Sequence, residues 1–331
     1  MTSVTSRLLR PEPPWFGGHL QTLRNVILRP RYPVSTNGPA RLAVETSDGS
    51  GDALSVIVDR PPTRRSGTPL VLLVPGLTGG EDSDYVCMTA RVLLQSGYTV
   101  ARVNMRGLGR SSSCRGIAHA GRRSDLADVI NALVRNNASN ENSGGHEGAA
   151  VVGFSLGGNV AVALSSEPTA PALRAVASVS APVDLASSVA WMRRRSNYLY
   201  QTALLQGLKR VALRPESNIA RGEAAAVRAA KSIFDFDDGF IAPHHGFKDA
   251  GDYYRKSSAL FRLEKITTPT LLISARDDPI LAPSQHDATA RIGNPVIEGV
   301  TFDSGGHLGF HSREYPWGAH NQVLLDFLAR N

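Results

Sequence analysis

A five-residue segment, Gly-Phe-Ser-Leu-Gly at residues 153–157, constrains the fold of this chain more than any other feature. An apolar run at residues 149–152 precedes it, and residues 159–164 continue it with helix-compatible residues. The pattern predicts a buried strand, a sharp turn and a helix, with Ser155 at the turn. Glycines on both sides leave room for a close crossing of strand and helix. We therefore expect Ser155 to project its hydroxyl beyond the end of a sheet strand, where it can act as a nucleophile.

The rest of the chain alternates between strand-like apolar runs and helical patterns, which implies right-handed crossovers and a mainly parallel sheet. The predicted fold class is α/β, with a mostly parallel central sheet flanked by helices. A hairpin is predicted from residues 40–46 and 53–59, and buried strands from residues 69–74, 98–103, 173–180, 270–274 and 296–302. Helices are predicted over residues 85–95, 122–134, 284–291 and 315–329, a polar loop over 136–148, and irregular structure from residue 11.

The alternation stops between residues 185 and 262, where no buried strand and several helical stretches are apparent. An interruption of roughly 75 residues is too long and too patterned for a loop. We interpret it as a helical cap inserted in a single domain of residues 1–331. Within it, residues 191–214 alternate apolar with basic residues at helical spacing. They predict a lid helix on the sheet or, alternatively, a basic amphipathic surface that contacts lipid; both agree with an apolar substrate pocket under the cap.

A serine nucleophile needs an imidazole to take its proton and a carboxylate to orient that imidazole. In this architecture the chain order is serine, acid, histidine. Asp277 and Asp278 both follow the strand at residues 270–274; Asp278, followed by a proline and two apolar residues, is the preferred acid, with Asp277 as the alternative. His307 lies in a glycine-rich segment after the last strand and is the preferred base, with His311 as its rival.

An oxyanion intermediate needs two backbone N–H donors. Leu156, which follows the nucleophile, is expected to supply one. Leu77, in the glycine-rich turn after the strand at residues 69–74, is expected to supply the other, with Thr78 as the alternative. His19 stands beside aromatic residues, and a structural hydrogen bond is a better interpretation of it than catalysis.

Composition narrows the classes of function. The chain has 331 residues, 42% hydrophobic residues and a net charge of +7. The basic residues are scattered and form no nucleic-acid-binding signature, so no nucleic-acid partner is expected. Cys87 and Cys114 have no metal-ligand spacing, and neither a metal nor a cofactor is expected. No signal-peptide core or run of about 18 apolar residues is present, so we expect no integral membrane segment and a cytoplasmic location.

Several motifs together resemble the YheT-like, or ABHD-type, branch of the α/β-hydrolases, over nearly the whole chain. They are His-Leu-Gln-Thr at 19–22, Pro-Gly-Leu-Thr-Gly-Gly at 75–80, Asn-Met-Arg-Gly at 104–107, the turn at 153–159, a signature running from Asp237 through Gly246-Phe247 and Asp252-Tyr253-Tyr254 to Ser258 and then Asp277-Asp278-Pro279, and Gly-Gly-His-Leu-Gly at 305–309.

The resemblance implies an α/β-hydrolase fold and a serine hydrolase of carboxylic esters, with a small-molecule or lipid ester as substrate. The family's catalytic serine, acid and histidine carry over to Ser155, Asp278 and His307. Relatives are linked to short- and medium-chain acyl esters, to acyl transfer to alcohols and to phospholipid deacylation. The alternatives are therefore a lipase- or phospholipase-like enzyme, or an acyltransferase, at lipid surfaces. A non-catalytic binding protein that keeps the fold is a further alternative.

Overall fold

The computed structural model describes residues 3–34, 38–138, 148–167, 172–286 and 293–331. Within these ranges, nine strands form one sheet. They are β1 (Ser3–Arg7), β2 (Ala40–Glu45), β3 (Ala53–Asp59), β4 (Leu70–Val74), β5 (Val100–Val103), β6 (Ala149–Phe154), β7 (Leu173–Val179), β8 (Thr270–Ala275) and β9 (Ile297–Phe302).

The strand order is β1-β9-β8-β7-β6-β4-β5-β3-β2. Each neighbouring pair in the row β1-β9-β8-β7-β6-β4-β5 is parallel. β3 pairs antiparallel with both β5 and β2. The mainly parallel sheet and the predicted hairpin of β2 and β3 are thus confirmed. Because parallel strands share one carboxyl edge, the segments that follow β4, β6, β8 and β9 can approach one another.

Helices cover the sheet and continue between β7 and β8. They are α1 (Gly17–Leu28), α2 (Asp84–Gln95), α3 (Arg123–Ala138), α4 (Leu156–Leu164), α5 (Leu185–Met192), α6 (Tyr198–Ala212), α7 (Arg221–Ala229), α8 (Ile233–Phe236), α9 (Ala242–His244), α10 (Ala250–Ser257) and α11 (Ala319–Leu328). A π-helical turn, Asp237–Ile241, joins α8 to α9. No helix in the described ranges is both long enough and apolar enough to cross a membrane.

The core has two layers because alternate side chains of a strand point to opposite faces. On β4, Leu70, Leu72 and Val74 pack with α3 and α4, whereas Val71 and Leu73 pack with α2 and α11. All five are buried, and each large apolar side chain buried in this way stabilises the fold by about 1.5–3 kcal/mol. This rigid centre fixes the ends of β4 and β6, where the candidate site lies.

The chain between β7 and β8 contains only helices and turns among its described residues, and we call residues 185–265 the helical segment. Its buried side chains, such as Leu205, Phe236 and Tyr254, form a third apolar cluster that also contacts Leu77 and Leu156 at the end of the sheet. Asp184 starts α5 by accepting a hydrogen bond from the Ser187 N–H, and Asp249 starts α10 in the same way through Asp252. The assignment of residues 185–262 as a cap inserted in a single domain remains a prediction.

The structure corrects the expected organisation of both ends of the chain. β1 precedes the segment interpreted as irregular, and α1 lies within it. The final helix begins at Ala319 and not at residue 315, because Gly318 adopts φ +80°, outside the helical region.

Two internal helices also differ from the predictions or are described only in part. α3 extends to Ala138, into the predicted polar loop, whose residues 139–147 lie outside the described ranges. The helix predicted over residues 284–291 begins at residue 284, and residues 287–292 also lie outside those ranges.

Candidate active site

Ser155 occupies the sharp turn between β6 and α4. Its backbone has φ +50° and ψ −123°, a conformation that is strained for a residue with a side chain. The neighbouring glycines are sterically required, since a Cβ on Gly153 would lie 2.4 Å from the Gly157 oxygen and a Cβ on Gly157 would lie 2.3 Å from the Pro75 oxygen. The start of α4 therefore crosses closely over the end of β6, as the glycine pattern predicts, and it also lies directly against the end of β4.

The side chains of Ser155, His307 and Asp278 form a continuous hydrogen-bonded row. His307 Nε2 lies 3.0 Å from Ser155 Oγ, and His307 Nδ1 lies 2.8 Å from Asp278 Oδ2. The Asp278 carboxylate is fully buried, and its Oδ1 accepts hydrogen bonds from the N–H groups of Ile280 and Leu281. The ring of His307 is thus held in the orientation in which Nε2 can accept a proton from the serine.

Asp277 faces the other way and has a different set of contacts. Its Oδ1 accepts hydrogen bonds from the N–H groups of Gly305 and Gly306, and its Oδ2 accepts one from Ser304 Oγ. The two adjacent aspartates therefore have different roles: Asp278 contacts the imidazole, and Asp277 stabilises the loop that carries it.

The other two histidines considered, His311 and His19, do not line the cavity that contains Ser155. His311 is buried, and burial, together with the positive charge of Arg24, lowers the pKa of its imidazole to about 4. Its backbone N–H and carbonyl both bond to the Gln21 side chain. His19 Nδ1 lies 3.0 Å from Tyr200 Oη in α6, so its contact joins α1 to the helical segment.

Helix α1 supports the His307 loop, and the sequence pattern did not indicate this. Thr22 Oγ1 accepts a hydrogen bond from the His307 N–H at 2.8 Å and donates one to the Gly18 carbonyl at 2.7 Å. A Cβ on Gly306, which has φ +58°, would lie 2.3 Å from the Gly18 oxygen. Residues 19–22 are one of the motifs that carry the family resemblance, but the resemblance assigns them no role. Two of them, Gln21 and Thr22, contact the loop around His307.

Leu77 and Leu156, whose backbone N–H groups are the expected oxyanion donors, both lie close to Ser155 in sequence or in the cavity wall, and their role as donors stays a prediction. Leu156 is the first residue of α4, where an N–H has no partner within the helix, and Leu77 lies in the turn after β4. Both residues line the same cavity as Ser155 and His307. The Gly76 N–H donates to Tyr85 Oη at 3.0 Å and is therefore occupied. Thr78, the alternative to Leu77, has φ +63° and is absent from the cavity wall.

A cavity of about 270 Å³ opens onto Ser155 and His307. One wall comes from the sheet end, through residues such as Leu77, Leu156 and Leu308, and the opposite wall comes from the helical segment. Most of the lining side chains are aliphatic or aromatic, which suits an apolar group of a bound molecule. A few polar groups interrupt the wall, among them Tyr85, His119 and Asp237.

Among the residues that the structure describes, no group of three or more His, Cys, Asp or Glu side chains is arranged to hold a metal ion. Cys114 is buried, with its Sγ 3.2 Å from the Ala53 carbonyl, and Cys87 is partly buried. The serine hydroxyl and the imidazole lie beside the cavity, and such a pair can attack an acyl compound and protonate its leaving group.

Comparisons with known proteins show which family this chain resembles. Residues 69–314 match the family model described as the alpha/beta hydrolase fold. "Putative esterase YheT" of Escherichia coli (strain K12) is 30% identical over 306 residues, which cover 88% of this chain and 84% of that protein. "Medium-chain fatty acid ethyl ester synthase/esterase 2" of Saccharomyces cerevisiae is 27% identical and is covered over 60% of its length by 76% of this chain.

Solved structures show the same fold. An esterase of Pyrococcus furiosus superposes with a TM-score of 0.59 at 16% identity, over 90% of this chain and 98% of that chain. At this identity the likeness concerns the architecture alone. It confirms the predicted sheet with flanking helices.

Proposed function

The chain belongs to the α/β-hydrolase family, in the branch that includes YheT and ABHD-type proteins, and from this premise we propose that it is a serine esterase. It cleaves carboxylic esters of small molecules with short to medium acyl chains. The observation that supports the proposal best is the hydrogen-bonded row from Asp278 through His307 to Ser155, which opens onto an apolar cavity.

In the proposed reaction, Ser155 Oγ attacks the ester carbonyl carbon while His307 Nε2 takes its proton. Asp278 keeps His307 in the reactive tautomer and stabilises the imidazolium that forms. The N–H groups of Leu77 and Leu156 bind the negatively charged oxygen of the tetrahedral intermediate. His307 then gives the proton to the departing alkoxide, which leaves an acyl group on Ser155.

Water completes the cycle. His307 removes a proton from the water as it attacks the acyl carbonyl, and Ser155 takes that proton back when the acid leaves. An alcohol in place of water would give acyl transfer through the same steps. The apolar wall of the cavity favours the acyl chain, and its volume of about 270 Å³ supports a chain of modest length.

The test is labelling with a fluorophosphonate probe, combined with hydrolysis of a panel of 4-nitrophenyl esters of increasing acyl length. We expect wild-type protein to be labelled and to hydrolyse the shorter esters, and Ser155→Ala to lose both properties. Ser113→Ala, the same change at an exposed serine, is the matched control and should keep both. Absence of labelling in folded wild-type protein would overturn the proposal and favour a binding protein with a hydrolase fold.

One observation favours a second candidate, an acyl hydrolase or acyltransferase that works at lipid surfaces. Tyr198 and Leu199, at the start of α6, are 63% and 78% exposed, and the exposed residues Arg193, Arg194 and Arg195 precede them. Apolar side chains beside basic ones suit contact with anionic lipid. In the same panel, a marked preference for aggregated long-chain esters over dissolved short-chain esters would favour this candidate and count against the first.

A further inference from the structure

Asp237 places a carboxyl group in the apolar wall of the cavity. It is the first residue of the π-helical turn between α8 and α9, and its neighbours in the wall include Ile233, Phe236 and Ile241. The residue is only 8% exposed. Isolating a carboxyl from water in such surroundings costs free energy unless its oxygens have partners. The position of Asp237 therefore needs an explanation beyond packing.

The carboxyl of Asp237 is only partly satisfied by protein groups. Tyr254 Oη donates a hydrogen bond to its Oδ2 at 2.7 Å, and no described residue donates to Oδ1. Burial raises the pKa of Asp237 to about 7, although the bond from Tyr254 opposes the shift. One oxygen of the carboxyl thus remains available to a molecule in the cavity.

Tyr253, which precedes Tyr254 on α10, adds a hydrogen-bond donor to the same wall. Its Oη accepts a hydrogen bond from the Ala120 N–H at 3.0 Å, and no described residue accepts its own proton. Burial, and after it the negative charge of Asp237, raises the pKa of Tyr253, so its hydroxyl keeps the proton. An acceptor and a donor are thus present on neighbouring elements that both line the cavity.

A purely structural role would consist of the bond that ties the π-helical turn to α10. That bond uses Oδ2 of Asp237 and the Tyr254 proton, and it leaves Oδ1 and the Tyr253 proton unused. A hydroxyl group is the simplest chemical group that can donate a hydrogen bond to Asp237 Oδ1 and accept one from the Tyr253 hydroxyl. A site that presents hydrogen-bonding groups to a substrate hydroxyl also discriminates against the analogue without it, because the site's polar groups are then left unpaired.

We propose that Asp237, together with Tyr253 and Tyr254, forms a polar subsite that binds a hydroxyl group of the ester substrate. The preferred substrates are then hydroxylated esters and not plain alkyl esters of the same size. This inference rests on the proposed esterase function and specifies its substrate class. The hydroxyl belongs either to the acyl chain or to the alcohol, and the test distinguishes the two.

The test compares kcat/KM within two matched pairs of esters. The first pair is a glycerol monoester and the propyl ester of the same acid, which differ in hydroxyls on the alcohol. The second pair is the ethyl ester of an ω-hydroxy acid and that of the corresponding plain acid. We expect wild-type protein to favour the hydroxylated member of one pair by about 10- to 100-fold. The pair that shows the preference identifies which half of the substrate carries the hydroxyl.

Asp237→Leu should abolish that preference, so that the ratio of kcat/KM between the hydroxylated and the plain ester falls to about 1. Asp326→Leu, the same change at an exposed aspartate of α11, whose carboxylate contacts only Gln322 among the described residues, should leave the preference intact. If Asp237→Leu does not fold, Asp237→Asn replaces it, because an amide keeps the bond from Tyr254 but not the charge. This variant should reduce the preference severalfold. A structural role alone would lower both members of a pair equally and leave their ratio unchanged.

Labelling of Ser155 by the fluorophosphonate probe distinguishes a failure of the esterase proposal from a failure of the subsite proposal. If wild-type protein is not labelled, the proposed function itself is wrong. If it is labelled but neither pair shows a preference, or the preference survives in the folded Asp237 variant, the subsite proposal is wrong and the esterase proposal stands.

Discussion

Two adjacent aspartates at the end of β8 have different roles in the candidate active site. Asp278 has a buried carboxylate that contacts the His307 ring, whereas Asp277 accepts three hydrogen bonds from residues 304–306. The two residues follow β8 in a turn closed by the hydrogen bond from the Asp278 N–H to the Ala275 carbonyl, and their carboxylates have different partners. One residue can therefore orient the imidazole while its neighbour holds the loop.

Amide substitutions should separate these two roles. Asp278→Asn should lower kcat by roughly 10³- to 10⁴-fold, because the amide no longer favours the reactive tautomer of His307. Asp277→Asn should mainly lower the free energy of unfolding, by about 1–3 kcal/mol, because part of the loop's hydrogen bonding is lost. Ester hydrolysis and urea unfolding measure the two effects. The assignment is wrong if Asp277→Asn suffers the larger loss of kcat while Asp278→Asn remains active.

The choice between the two aspartates could be argued from the sequence but not decided there. Both follow the same strand, and only the proline after Asp278 favoured it. The deciding contact joins residues that are 29 positions apart, and it depends on how the loops after β8 and β9 pack together.

At the scale of elements, α1 supports the His307 loop together with the turn after β8. Thr22 binds the His307 N–H, and the Gln21 side chain bonds to the backbone of His311. The helix packs so closely that a Cβ on Gly18 would lie 1.7 Å from the Asp277 carbonyl oxygen. An N-terminal helix is thus part of the support for both the acid turn and the histidine loop.

Substitution of Thr22 tests this support. Thr22→Val should lower kcat by about 10-fold with little change in KM, because the His307 backbone loses its acceptor and the ring is less well placed. Thr22→Ser keeps the hydroxyl and should restore kcat to near the wild-type value. Steady-state kinetics on a dissolved ester measure both parameters. Equal losses in the valine and serine variants would show that the hydroxyl does not position His307.

Local patterns predicted most central elements but not those near the N-terminus. Strands β4 to β8 consist mostly of apolar residues, and their bounds differ from the predictions by at most two residues. β1 and α1 lack such a signal: β1 has the polar sequence Ser-Val-Thr-Ser-Arg, and α1 begins with two glycines and buries only Gly18 and Gln21. Their stability comes from contacts with β9 and the His307 loop. These partners are distant in the chain, so a local sequence pattern cannot predict them.

At the scale of the whole molecule, several histidines are buried in their neutral form. Burial lowers the pKa values of His245 and His320 to about 3. Both ring nitrogens of His320 are buried, and neither has a hydrogen-bond partner among the described residues. Below pH 6.5 the unfolded chain binds protons at these positions but the folded protein does not. Stability is therefore fully present above pH 6.5 and is lost as the pH falls towards 3.

Urea unfolding at pH 7.5 and pH 5.0 tests this coupling. Of the decrease in the free energy of unfolding between these values, His320 should account for about 2 kcal/mol. His320→Leu removes the titrating group and should reduce the decrease by that amount, whatever its effect at pH 7.5. An identical decrease in wild type and His320→Leu would show that His320 does not titrate as inferred.

The sequence by itself determined the order of the strands and helices of the sheet from β2 onwards, the sharp turn at Ser155 and the small set of residues from which the acid and the base come. These properties depend on local periodicity, glycine placement and chain order, all of which are encoded within short windows. Only the tertiary structure decided which side chains meet: that Asp278 contacts His307, that α1 supports the loop, and that Asp237 faces the cavity. Such contacts join residues far apart in the chain, and packing of the whole molecule selects among partners that the sequence leaves equivalent.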